Sequence, residues 1–206
     1  MKERVRQIKN HYEPLLEKYA GGYKVLDWES REAQIKRFEI LCQAVDLSGK
    51  KLLDVGCGAG DLYGFLSDRR IDVSYRGVDL LEKMVERARS TYPRGRFFSG
   101  DIFQDTMFSK KQFDVVFCSG LFTLNLGNNE VFFEQALPVL FGFAREYVVF
   151  NMLGEGGEIH GNQYYYFREK EVIHRVRKYS NSVRCMKHYI PWDFTIAAES
   201  KDFPKE

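Results

Sequence analysis

Three glycines at alternate positions, Gly56, Gly58 and Gly60, follow the apolar run Leu52-Leu53-Asp54-Val55 and precede Asp61. Lacking Cβ atoms, such a turn lets a ligand approach the backbone closely and admits positive φ angles. The flanking acids restrict which ligand that is. A dinucleotide would bring a doubly negative pyrophosphate to this bend and needs a further glycine where Asp61 stands. Asp54 and Asp61 instead favour a ligand that carries positive charge and no phosphate.

Three later runs end in the same manner. Tyr75-Arg76-Gly77-Val78 leads to Asp79, Arg96-Phe97-Phe98-Ser99-Gly100 to Asp101, and Phe113-Asp114-Val115-Val116-Phe117-Cys118 to Ser119. Asp79 lies about 20 residues beyond the glycine turn, and a carboxylate there can accept hydrogen bonds from two vicinal hydroxyls.

Elements with a simple alternation must position these residues. Apolar runs at 52–55, 75–80, 96–98, 113–118 and 147–153 alternate with helical segments at 61–69, 82–92 and 129–142. That order specifies a parallel sheet with crossover helices, which binds ligands beyond the carboxyl ends of its strands. A helix over 30–46 begins at a Ser30 cap and aligns Ile35, Phe38, Leu41, Cys42 and Val45. Past residue 153 come a glycine-rich stretch to Gly161, the aromatic run Tyr164 to Phe167 and a basic helix from about 169 to 180. Two closing strands, Val183 to Tyr189 and Phe194 to Glu199, flank Pro191-Trp192. Residues 1–29 have helical spacing at Val5, Ile8, Leu15 and Leu16, with breaks expected near Pro14 and at Gly21-Gly22, and are read as a lid.

Leu52 to Gly60, with the three later runs in their order, resembles the class I S-adenosylmethionine-dependent methyltransferases of small-molecule type. The resemblance is carried by residues 30–153, and beyond them by general architecture. It implies an α/β fold: a three-layer Rossmann-like sandwich with a mostly parallel seven-stranded sheet, an antiparallel C-terminal edge strand and an N-terminal helical lid. One domain would span 1–206, divided into the lid (1–29), a donor-binding core (30–153) and an acceptor loop with closing strands (154–206). The implied activity is in-line transfer of a methyl group from S-adenosylmethionine, leaving S-adenosylhomocysteine. Asp54, Gly56, Cys57, Gly58 and Gly60 would cradle the donor, Asp79 would hold its ribose hydroxyls, and Leu80 and Met84 would stand beside it. Asp101 and Ile102 would meet the adenine, Ser119 would line the reaction side, and Trp28 and Arg31 would serve the methionine end, Arg31 through a bidentate pair.

Methyl transfer gains mainly from near-attack geometry, so the protein need supply no covalent partner. For a hydroxyl acceptor a base would help by roughly 10²–10⁴-fold. His160, in the glycine-rich loop where the family often places acceptor contacts, is the catalytic candidate, with His188, His11 and Asp193 behind it. The tyrosines at 12, 19 and 23 with Tyr164 to Phe167 form either an aromatic wall over the ligands or ordinary packing.

Composition sets the outer bounds. The 206 residues suit one domain, and a net charge of +2 from 31 basic and 29 acidic residues exerts no general pull on nucleic acid or anionic lipid. The basic cluster of Arg168, Lys170, Arg175, Arg177, Lys178, Arg184 and Lys187 is either a phosphate track or a solvated face. Ser119-Gly120-Leu121-Phe122 departs from the Pro-Pro-aromatic motif of methyltransferases acting on nucleobase amines. A small-molecule acceptor is therefore expected as partner, and nucleic acid is not. Four cysteines without a CxxC pair read as reduced core thiols, and no His or Cys spacing suggests a metal. The charged N-terminus and the lack of a long apolar run point to neither signal peptide nor membrane span, and to a cytoplasmic protein. RNA or protein methylation, and donor binding without catalysis by a regulator, stay open, as does the oligomeric state; Asp61 argues against dinucleotide oxidoreduction.

Overall fold

The computed structural model describes residues 2–19, 22–105, 107–155 and 161–201. Seven strands, β1 (Lys50–Val55), β2 (Val73–Asp79), β3 (Phe97–Ser99), β4 (Phe113–Cys118), β5 (Ala144–Leu153), β6 (Val183–Lys187) and β7 (Asp193–Glu199), form one sheet in the order β3-β2-β1-β4-β5-β7-β6. The first five are parallel, and β7 runs antiparallel to β5 and β6, so the closing hairpin makes one edge of the sheet. The order reverses between β1 and β4, where a crevice must open.

Strand alternation divides the apolar side chains between two faces. Leu52, Val115 and Phe117 pack against α2 (Arg31–Ala44), α3 (Asp61–Asp68) and α4 (Glu82–Thr91) through Leu41, Leu66 and Val85. Leu53, Val116 and Cys118 face α5 (Asn129–Phe143) and α6 (Glu169–Val176) through Phe133, Leu137 and Val172. Three layers result, as expected. Helix α6 stops at Val176, short of the expected 180.

The N-terminal segment departs from expectation. Helix α1 (Lys2–Lys18) runs through Pro14 without ending. Tertiary anchoring holds it despite the lost amide: Leu16 packs with Val25, Leu81 and Met84, and Arg87 donates to the terminal carbonyls of Leu16 and Tyr19 at 3.0 Å each. Helix α2 begins as expected, with the Ser30 hydroxyl accepting from the Ala33 amide at 3.0 Å. Its buried face is rotated, however: Gln34 and Arg37 are inside with Phe38, Leu41 and Ala44, while Ile35 and Cys42 are half-buried.

Candidate active site

At the carboxyl ends of β1, β2 and β4 lies a cavity of about 570 Å³, a size ordinary for a small-molecule site. Its floor includes Gly56, Asp79, Leu80, Met84, Asp101, Ile102 and Ser119, and its roof Arg4, Ile8 and Tyr12 of α1 with Leu26, Asp27, Trp28 and Glu29. Residues of α1 and of 26–29 therefore lie over the expected floor. Five acids (Asp27, Glu29, Asp79, Asp101, Asp193) against two arginines (Arg4, Arg37) line the space, an electrostatic surface suited to a cation.

Register brings the floor together. Val55 pairs with Val78, so the residues that follow, Gly56 and Asp79, leave the sheet side by side. The Asp79 carboxylate accepts from the Gly58 amide through Oδ2 and from the Leu81 amide through Oδ1, both at 2.9 Å. Burial raises its pKa while these amides pull it down. The glycine turn thus orients the acid. Leu26 lies over Gly58, its Cδ2 2.4 Å from where a Cβ would stand, so this part of the turn is roofed directly by the lid.

Of the expected donor contacts, Asp54, Cys57, Gly58, Gly60 and Arg31 do not line the cavity. Asp54 is buried away from the cavity, because it shares strand parity with Leu52 and faces the α2–α4 layer, where the Tyr75 hydroxyl donates to it at 2.6 Å. Cys57 is buried against Gly77 beneath the turn. Gly60 caps α3 at φ +85, against the Phe97 ring, and has a structural role. Of the acids near this bend, Asp79 lines the cavity, whereas Asp54 does not and Asp61 accepts from Gln34 at 3.2 Å.

Burial pushes the Asp54 carboxyl up to about 7. A carboxyl with a raised folded pKa binds its proton more tightly in the native than in the unfolded chain, so stability falls as pH rises from the unfolded value through about 7. Between pH 5 and pH 8 the expected loss is roughly 2–3 kcal/mol. Asp54→Asn, which keeps an acceptor for Tyr75, should flatten that slope and exceed the wild type at pH 8. Urea melts of both proteins at the two pH values check this; parallel losses would place the titration elsewhere.

The Asp101 carboxylate receives the Arg4 guanidinium, the Gln104 amide nitrogen at 2.6 Å and the Phe103 N–H at 3.0 Å. Arg4 is itself held over Phe132, 4.6 Å from its ring centre, and burial draws its pKa down against the pull of Asp101. Arg4 is absent from the expected set, although its i, i+4, i+8 spacing with Ile8 and Tyr12 places it on the inner face of α1.

Arg31 is exposed, outside the cavity, and close enough to Asp61 to favour that acid's charge. Of the arginines of α2, Arg37 lines the cavity, under the Trp28 ring at 4.0 Å and 2.5 Å from Asp193. Around this pair, Arg37 Nη1 and Ser119 Oγ are buried without a hydrogen-bond partner among the described residues, and Asn151 helps hold the Asp193 carboxylate. Unsatisfied donors of this kind are costly and mark a place for an anionic or polar group. Asp193, expected as a possible base, is engaged as the counter-ion instead.

Asp27, absent from the expected set, receives three hydrogen bonds on Oδ2: His11 Nε2 at 3.1 Å, Gln163 Nε2 at 2.9 Å and the Tyr164 hydroxyl at 2.6 Å. It thereby joins α1 to the segment after β5. The His11 hydrogen bond comes first among the causes that hold the Asp27 carboxyl below its usual range, against desolvation. Tyr12, Tyr164 and Tyr166 line the cavity, whereas Phe167 belongs to the core. His188 is exposed, and His160 lies outside the described residues. Three residues of the basic cluster are ion-paired: Arg168 with Glu155 and Glu171, Arg175 with Glu130, Lys187 with Glu169.

Residues 52–140 match the model of the family described as Methyltransferase domain, and the chain carries the fold of the class I S-adenosylmethionine-dependent methyltransferases. It is similar to the phthiotriol/phenolphthiotriol dimycocerosates methyltransferase of Mycobacterium tuberculosis, 32% identical over 90 residues, 43% of this chain and 33% of that one. The matches cover only a quarter to a third of the length of these curated relatives. Among solved structures, the magnesium protoporphyrin IX methyltransferase of Synechocystis with bound S-adenosylhomocysteine superposes with a TM-score of 0.70 at 18% identity, over 98% of this chain and 100% of that one. The N-methyltransferase NodS of Bradyrhizobium japonicum, in complex with S-adenosylhomocysteine, gives 0.70 at 13% identity, over 92% and 98%. At these identities the structures establish the fold. No helix among the described residues is long and apolar enough to cross a membrane.

Proposed function

We propose that the protein transfers a methyl group from S-adenosylmethionine to a small molecule. The observation that carries this is Asp79, fixed by the Gly58 and Leu81 amides at the switch point of the sheet and turned into an acid-rich cavity. Asp79 is the acceptor for the ribose hydroxyls, Leu80, Met84 and Ile102 enclose the nucleoside, and Asp101 meets the adenine once Arg4 shares or yields its place. Arg37 and Asp193 suit a zwitterion: the guanidinium, with the Ser119 hydroxyl, takes the amino acid's carboxylate, and Asp193, which Asn151 helps to hold, takes its ammonium. When bound, the donor supplies a sulfonium, whose departure as a neutral thioether drives the displacement. The chain's part is to hold the acceptor in line and keep water out.

Three observations favour a small acceptor. The cavity is roofed by α1 and Leu26 to Glu29, three residues of the basic cluster are engaged in ion pairs with neighbouring glutamates, and the compounds named for the similar proteins, magnesium protoporphyrin IX and the phthiotriols, point the same way. Incubation with methyl-labelled donor and fractionated cell extract should place label in the low-mass fraction. Label confined to RNA or protein would contradict the small-molecule assignment.

A further inference from the structure

The cavity extends beyond the groups just assigned to the donor. Its far end, past β4, is walled by Leu124, Leu153, Tyr166, Ile190, Pro191 and Trp192, and Asp27, which Gln163 and Tyr164 hold, lines the same cavity. Two features mark the wall as built. Trp192, 47% exposed, adopts φ 69, a left-handed conformation costly for a bulky residue, and its carbonyl is pinned by the Gly154 amide at 2.6 Å. Asp27 likewise has φ 57, and all three of its hydrogen bonds fall on Oδ2, so Oδ1 has no hydrogen-bond partner among the described residues.

We propose that this end is the acceptor subsite, that it takes a neutral ring-bearing compound presenting a hydroxyl, and that Asp27 Oδ1 receives that hydroxyl's proton. The proposal rests on the donor assignment above. Aromatic and aliphatic walls favour a flat apolar body. A second cation is disfavoured beside a sulfonium, and an anion beside Asp27, Glu29 and Asp79, which leaves a neutral head that donates one hydrogen bond. In the step, the acceptor oxygen forms its bond to the methyl carbon as the carbon–sulfur bond breaks and its electron pair stays on sulfur. The hydroxyl proton passes to Asp27, which is 30% exposed and returns it to solvent.

S-adenosylhomocysteine binding is first confirmed by calorimetry, and the intact protein is then saturated with sinefungin, whose amine carries positive charge near the place of the sulfonium, and offered three probes with one ring system: 2-naphthol, 2-naphthylmethylamine and 2-naphthoate. Naphthol should bind at least about tenfold more tightly than either charged analogue, and Trp192→Ala should weaken it about tenfold with S-adenosylhomocysteine affinity unchanged. Asp27→Asn should cut label transfer from S-adenosylmethionine to 2-naphthol by about 100-fold or more while naphthol still binds. If that variant does not fold, the order of the three probes and the exposed-site variant at Trp192 decide the matter. Equal binding of the probes, preference for a charged one, or indifference to Trp192→Ala overturns the subsite while the donor site stands. Failure of S-adenosylhomocysteine to bind at the outset overturns the donor site and the subsite with it.

Discussion

Asp79→Ala should reduce the affinity for S-adenosylhomocysteine by more than about 100-fold. The side chain does two things at once: it presents a carboxylate to the cavity and it satisfies the Gly58 and Leu81 amides. Hydrogen bonds to a charged acceptor are worth about 1.5–3 kcal/mol each, so loss of two ribose contacts alone amounts to about 3 kcal/mol or more. The two freed amides also cease to fix the glycine turn. Asp79→Asn, which keeps one acceptor oxygen, should retain part of the affinity. Isothermal titration of the three proteins checks the order; equal affinities would remove Asp79 from the donor site.

Arg37→Ala should be the most destabilising single change at the site, by about 3–5 kcal/mol, because it strands Asp193 in a buried position with no counter-ion. Against a typical total of roughly 5–15 kcal/mol that is a large share. Loss of the Trp28 contact at 4.0 Å adds to it. The double change Arg37→Met with Asp193→Leu removes both charges and fills the space, so it should recover most of the stability while donor affinity stays low. Urea midpoints and calorimetric titration of the single and double variants separate the two roles. A double variant that binds S-adenosylhomocysteine like the wild type would show the pair to be structural only.

Where the sequence was legible, local rules and tertiary demands agreed. The parallel strands announced themselves as continuous apolar runs closed by Asp or Gly, and Asp79, Asp101 and Ser119 reach the cavity because each follows such a run. The strand parity of Leu52 and Asp54 was also readable, and it would have turned Asp54 away from the ligand. Arg37 was hidden by the habit of assigning arginine to solvent. Its spacing with Gln34, Leu41 and Ala44 put it on the buried face, and only the cavity explains a charge there. Asp27 could not be read at all, since its partners His11, Gln163 and Tyr164 come from segments that only the folded chain brings together. Pro14 misled for the opposite reason: the local penalty was real, and contacts from Arg87 and the Leu16 cluster outweighed it.

Ligand-dependent unfolding tests the central claim, that an acid-rich cavity at this switch point takes a sulfonium nucleoside rather than a diphosphate. With S-adenosylhomocysteine at 100 times its dissociation constant, the free energy of unfolding should rise by roughly 2.7 kcal/mol, and NAD at the same concentration should leave it unchanged. Stabilisation by NAD, with no response to S-adenosylhomocysteine, would contradict the account.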